Sequence, residues 1–236
     1  MSIVDQNKSK GYLLKQFWQG IKKDRGMYLK LIAAIVAGYG MTFVKRATFT
    51  FKGKRYRYFY HGYNHTWVNE RTIEIPLVKE LLDNTKGDVL EIGNVMNYYY
   101  PFSHDVVDKY EKGKGILNED VVDFKIHKKY HAIVSISTME HVGWDEKVRD
   151  ATKIPRSLEH LKKHLTPKGK IFLTIPLGYN PYLDRLIAEG NSFDEAYFFK
   201  RGLFGSWKQV SYTQVKGTPY IEGVSAKVLV LLVVKK

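Results

Sequence analysis

The chain of 236 residues contains no cysteine. Disulfides, zinc–thiolate sites and cysteine nucleophiles are therefore excluded, as suits a reducing cytosol. Acidic residues are scarce at one end. Residues 1–60 hold thirteen Lys and Arg against only Asp5 and Asp24, which is +11 of the formal net charge of +14. The remaining 176 residues supply +3 (25 − 22). No apolar run reaches the roughly 20 residues that a bilayer-spanning helix needs. The longest, residues 31–44, has 14, with Lys30 before it and Lys45 and Arg46 after it. It also lies late for a signal peptide and has no small-residue cleavage site. An interfacial or core-buried helix is expected there. The 44% apolar content supports a sizeable core.

Two parts are legible. Residues 1–68 form a basic, aromatic extension, expected to be helical and then a β-hairpin. Such a segment is drawn to anionic surfaces, which makes peripheral contact with an anionic membrane one expectation and nucleic acid another. In the hairpin, over residues 48–60, Gly53-Lys54 reads as a two-residue turn with Gly first. That register pairs Phe51 with Tyr56 and Phe49 with Tyr58 on one face. Residues 69–236 alternate helix and strand signals, as a doubly wound α/β sheet does. Pro76 is expected in the first turn of a helix ending near Asn84. Strands are expected at 88–92, 105–108, 121–124, 131–135, 170–175 and 227–234, with 207–211 pairing beside the last. Further helices are expected from Pro155 and over 181–188.

The stretch 87–108, GDVLEIGNVMNYYYPFSHDVVD, carries the functional signal. An apolar strand ends in Glu91-Ile92-Gly93, and a second ends in Asp108, 17 positions later (108 − 91). That is the layout of a nucleoside-binding unit. A glycine lets the backbone approach the ligand, and a strand-end acid accepts from ribose hydroxyls. A third segment is Glu119-Asp120-Val121-Val122-Asp123-Phe124. A fourth, Tyr130-His131-Ala132-Ile133-Val134-Ser135, is followed by Met139-Glu140-His141-Val142. Then comes LTPKGKIFLTIPLG, residues 165–178.

In order and spacing this series resembles class I S-adenosylmethionine-dependent methyltransferases, from about Arg71 to the C-terminus. The resemblance implies a Rossmann-like, mostly parallel sheet and S-adenosyl-L-methionine as cofactor. It places Glu91 near the methionine part, Asp108 on both ribose hydroxyls, and Asp120 and the Val121 amide on adenine. Gly93 and Ser135 fall on the cofactor side. The family's first motif usually carries three glycines. Here only Gly93 remains, and Asn94 and Asn97 are expected to supply amides in place of backbone contacts. The same loop argues against a nicotinamide dehydrogenase, whose pyrophosphate wants G-x-G-x-x-G.

For the acceptor, no Asn/Asp-Pro-Pro-Tyr follows the fourth strand, which weakens a nucleic-acid base as substrate. A hydroxyl acceptor needs its proton removed as the methyl moves, and His141 is the candidate base. Tyr98, Trp144, Asp145, Tyr179, Asn180 and Asp184 offer the polar and aromatic surface that a sugar packs on. The sub-family resemblance is to sugar- or glycan-modifying O-methyltransferases, peripheral to the membrane at most. Two other readings stand: an RNA or protein methyltransferase with residues 1–60 as a clamp, and a non-catalytic cofactor-binding module. No metal site is expected. His160 and His164, four apart with Lys162 and Lys163 between them, read as a solvated helix face.

Overall fold

A computed structural model describes residues 47–202, 205–220 and 226–236. The basic segment 1–46, with its apolar run, lies outside the described residues. Among the described residues no helix is long and apolar enough to cross a membrane.

The described residues begin with a two-stranded hairpin, β1 (Thr48–Phe51) and β2 (Lys54–Arg57). The main sheet follows: β3 (Val89–Ile92), β4 (Asp105–Val107), β5 (Ile116–Leu117), β6 (Tyr130–Ile136), β7 (Leu165–Pro176), β8 (Glu195–Arg201), β9 (Trp207–Val210) and β10 (Val228–Lys235). Its spatial order is β5-β4-β3-β6-β7-β10-β8-β9. The first five run parallel, and β10, β8 and β9 add antiparallel neighbours. This is the mostly parallel doubly wound architecture read from the sequence. Among the described residues the α-helices are α1 (Arg71–Asn84), α2 (Lys153–Lys163) and α3 (Pro181–Glu189).

Both faces of the sheet are covered, which is why β6 is apolar on both sides. On one face Ile75, Val78 and Leu82 of α1 meet Val134 and Ile136. On the other, Ile154, Leu158 and Leu161 of α2 and Leu183 and Ile187 of α3 share a core with Ile133, Ile171 and Val230. The hairpin joins the first face. Phe49 packs edge-on against Phe199 at 6.3 Å, and Phe51 against Tyr197 at 5.1 Å.

Four local readings change. The hairpin turns at Lys52-Gly53, both at positive φ (48° and 76°), so Phe49 pairs with Tyr56 and Phe51 with Lys54. That geometry is what a primed two-residue turn demands, and its twist suits the strands better. The aromatic face survives because Phe49 stacks on both Tyr56 and Tyr58, at 5.3 and 5.5 Å. Pro76 sits inside α1, not in its first turn. Its missing N–H would have bonded Thr72 O, and Phe59 N takes that carbonyl instead at 2.9 Å. The third strand is β5, earlier than expected, and residues 121–123 form a turn. β9 pairs with β8, which the sequence reading missed, and β8 separates it from β10.

Candidate active site at the carboxyl edge of the sheet

β3 and β4 run out side by side, and Gly93 N donates to Val107 O at 2.8 Å. Gly93 has φ +83°. A Cβ there would lie 2.9 Å from Thr138 Cγ2 and nearer still to Thr138 Oγ1, so the loop after β6 closes directly over this glycine. Glu91, two residues earlier in β3, is fully buried. Its Oε1 accepts from Val95 N at 3.0 Å and Met96 N at 2.9 Å, and its Oε2 pairs with His104 Nε2 at 2.6 Å. Glu91 therefore staples the glycine-poor loop from below.

Beside this loop lies a cavity of about 500 Å³. Gly93, Asp108, Asp120, Val121, His141 and Asp145 line it, so six of the sequence candidates converge. Asp108, at the end of β4, spends Oδ1 on Tyr110 N and Glu111 N, at 2.9 and 2.8 Å. Among the described residues its Oδ2 takes only Asn94 N, at 3.3 Å. The other wall is a charge network. Asp120 Oδ2 pairs with Lys109 Nζ at 2.8 Å and with the buried Lys153 Nζ at 2.6 Å. Both lysines also reach Glu146. Desolvation pushes the Asp120 and Glu146 carboxyls up, but the two lysines outweigh it and hold both below their usual range. Hydrogen bonding to Asp120 and Glu146 keeps Lys109 protonated well above its usual range. Glu111 and Glu119 complete a lining of six carboxylates against one lysine.

At the mouth, His141 Nδ1 bonds Asp145 Oδ2 at 2.6 Å. A carboxylate only accepts, so Nδ1 carries a proton, and in the neutral imidazole Nε2 then keeps its lone pair. Tyr179 Oη donates to the same Asp145 oxygen at 2.5 Å, and its ring meets His141 edge-on at 5.0 Å. Behind His141, Glu140 is buried with Oε1 3.7 Å from Nε2, and no described residue partners its Oε2. Desolvation, with Glu74 and Glu70 nearby, pushes the Glu140 carboxyl well up.

The remaining candidates sit elsewhere. Ser135 is buried within β6, between Ile92 and Leu173. Asn94 and Tyr98 do not line the cavity but hold its wall: Asn94 Nδ2 and Tyr98 Oη both donate to Glu111 Oε1. Asn97 Nδ2 donates to Asn94 Oδ1 at 2.8 Å. Trp144 stacks under Arg149, 3.6 Å from guanidinium to ring centre. Asn180 is a buried helix cap: its Oδ1 accepts from Tyr182 N and Leu183 N, and its Nδ2 donates to Glu140 O. Asp184 accepts from Gly178 N. His160 of α2 and His164 just past its end are half-buried, not solvated. His160 bonds Phe124 O and His164 bonds Lys128 O, and both rings pack on Phe124. The sequence reading passed over Glu111, Thr138, Glu146 and Lys153. Glu111, three residues beyond Asp108, was the one within reach.

No protein-family model matches this chain, and no curated protein sequence does. Solved structures resemble its chain path. One is the N-methyltransferase NodS from Bradyrhizobium japonicum WM9 in complex with S-adenosyl-L-homocysteine. It is 12% identical with a TM-score of 0.45, over 72% of this chain and 94% of that one. A TehB-like SAM-dependent methyltransferase from Corynebacterium glutamicum is 16% identical, TM-score 0.41, over 68% and 86%. The glycopeptide N-methyltransferase MtfA is 13% identical, TM-score 0.39, over 71% and 91%. At these identities the likeness concerns the fold and assigns no side chain a role.

Proposed function

We propose that this protein is an S-adenosylmethionine-dependent methyltransferase acting on a hydroxyl of a sugar or glycan. The observation that carries the reading is the cavity at the carboxyl edge of β3, β4 and β6, walled by six carboxylates against Lys109. Its volume of about 500 Å³ falls in the range of roughly 300–1,000 Å³ typical of small-molecule sites. The lining suits a cation. One unit charge ~6 Å from one carboxylate gains about 3 kcal/mol at an effective dielectric of ~20. A pyrophosphate would be repelled by the same wall.

When bound, the cofactor supplies an electrophilic methyl on a sulfonium. The chain's residues do the rest. Asp108 accepts from ribose, while Asp120 and the Val121 amide face the adenine. Glu91 holds the loop that Gly93 begins. Asp145 fixes the His141 ring so that Nε2 takes the hydroxyl proton of the acceptor. Tyr179 offers an aromatic surface beside that base, as a sugar ring needs. Holding acceptor and methyl in line supplies much of the rate. The basic residues of the extension dock the enzyme on an anionic membrane surface, which liposome flotation with and without anionic lipid tests.

Titration calorimetry with S-adenosylmethionine and S-adenosylhomocysteine, followed by transfer of labelled methyl to a polysaccharide fraction, tests the function. Label recovered as an O-methyl sugar is expected. No binding of either adenosyl compound removes the enzymatic reading, and label recovered on nitrogen removes the acceptor.

A further inference from the structure

A vicinal diol held by acids needs two free acceptor oxygens. Each carboxylate oxygen offers about two lone-pair sites. Asp108 Oδ1 is filled by the amides of Tyr110 and Glu111, at 2.9 and 2.8 Å. Only Oδ2, with the long bond from Asn94 N at 3.3 Å, has a site to spare. Asp108 alone therefore cannot take both ribose hydroxyls without releasing the turn that follows it. Glu111 lines the same cavity. Its Oε1 is filled by Asn94 Nδ2 at 2.7 Å and Tyr98 Oη at 2.9 Å, and no described residue donates to its Oε2.

We propose that the ribose is held by two acids, one hydroxyl on Asp108 Oδ2 and the other on Glu111 Oε2. The inference rests on the adenosyl-cofactor reading above. Glu111 then has a second consequence. Through Oε1 it grips the glycine-poor loop by Asn94 and Tyr98, and Tyr98 is stacked on Tyr63 at 4.6 Å, 3° from parallel. Ribose recognition and loop order thus meet on one carboxylate. Side chains anchored on an acid replace the backbone contacts that a glycine-rich loop would make.

Calorimetry on the full chain with S-adenosylhomocysteine and its 2′-deoxy and 3′-deoxy analogues tests this. Removing a hydroxyl from a charge-assisted hydrogen bond costs about 10–100-fold in affinity. The wild type should lose that factor for each analogue. Glu111→Ala should bind S-adenosylhomocysteine about 10–100-fold more weakly and no longer discriminate against one analogue, while rejecting the other as the wild type does. Tyr98→Phe, which removes only the loop anchor, should weaken binding yet keep both discriminations. If Glu111→Ala still rejects both analogues by the wild-type factors, Glu111 anchors the loop alone and the proposal is wrong. If the wild type binds but Glu111→Ala is unchanged, only this inference falls. If the wild type binds no adenosyl compound, the cofactor reading falls with it.

Discussion

Gly93→Ala isolates the close approach on which the site is built. Two costs add. The residue sits at φ +83°, where an L-residue costs about 1–2 kcal/mol. The new methyl would also lie 2.9 Å from Thr138 Cγ2 and 3.1 Å from Thr138 Cβ. Forcing such a contact costs about 1–3 kcal/mol. The sum is about 2–5 kcal/mol. For a domain of this size each kcal/mol shifts the melting temperature by about 2–4 °C. Thr138→Ala in the same chain removes Oγ1 and Cγ2 and leaves only the Cβ contact at 3.1 Å. The double mutant should recover about 1–3 kcal/mol, the steric part, and none of the backbone part. Urea unfolding of the four proteins measures the coupling. Additive effects, or a single mutant within about 1 kcal/mol of wild type, would show that the loop after β6 does not close on Gly93.

Three further outcomes follow from the site. Lys153→Met leaves Asp120 and Glu146 with Lys109 alone. The loss should be about 1–3 kcal/mol, below the usual 3–5 because the carboxylates keep some solvent and one partner. Both acids have depressed native pKa values against ordinary ones of 3.8 and 4.5. Their contribution is present above those ordinary values and lost as pH falls through the depressed ones. The acid-unfolding midpoint of Lys153→Met should therefore lie at higher pH than that of the wild type, and an unchanged midpoint would refute the pairing. Glu140→Gln tests the opposite sign. Burial raises the Glu140 carboxyl above 4.5, so its protonated form favours the fold and that contribution fades as pH rises. The variant should gain on the wild type in melting temperature from about pH 4.5 upward, and a gap constant with pH contradicts this. His141→Ala should lower kcat for label transfer about 10²–10⁴-fold while S-adenosylhomocysteine still binds, and Asp145→Asn should lower it less. Full activity in His141→Ala removes it as the base.

The parallel half of the sheet was legible because burial on both faces forces continuous apolar runs. β3, VLEI, and β6, YHAIVSI, have no solvent-facing side to encode. β8, EAYFFKR, was not legible, since charged ends and mixed burial disguise a strand. β5 has two residues, too few for any period. The hairpin slipped because Lys52, not only Gly53, adopts positive φ, and no side-chain rule announces that. Among the residues that line the cavity, Gly93, Asp108 and His141 were named from position along the chain alone. Asn180-Pro181 was read as a polar wall, although Asn before Pro is the signature of a helix cap. Lys153 escaped because a lysine opening a helix reads as surface. Only the fold brings Asp120, 33 positions away, within 2.6 Å of its ammonium.

The strand-tip acids show why motif position and chemical role come apart. A carboxylate has a fixed number of acceptor sites, and each donor supplied by the protein removes one from the ligand. Glu91 gives Oε1 to two loop amides and Oε2 to His104. Asp108 gives away one oxygen, and Glu111 likewise one. The capacity left for a ligand therefore rises from the first acid to the later two, the reverse of the order in which the sequence draws attention to them. A loop rich in glycine can bend without such anchors. This loop, with Asn94, Val95 and Met96 after its lone glycine, is held by an acid beneath it and another beside it. Only the oxygens that the scaffold does not use stay open to a ligand.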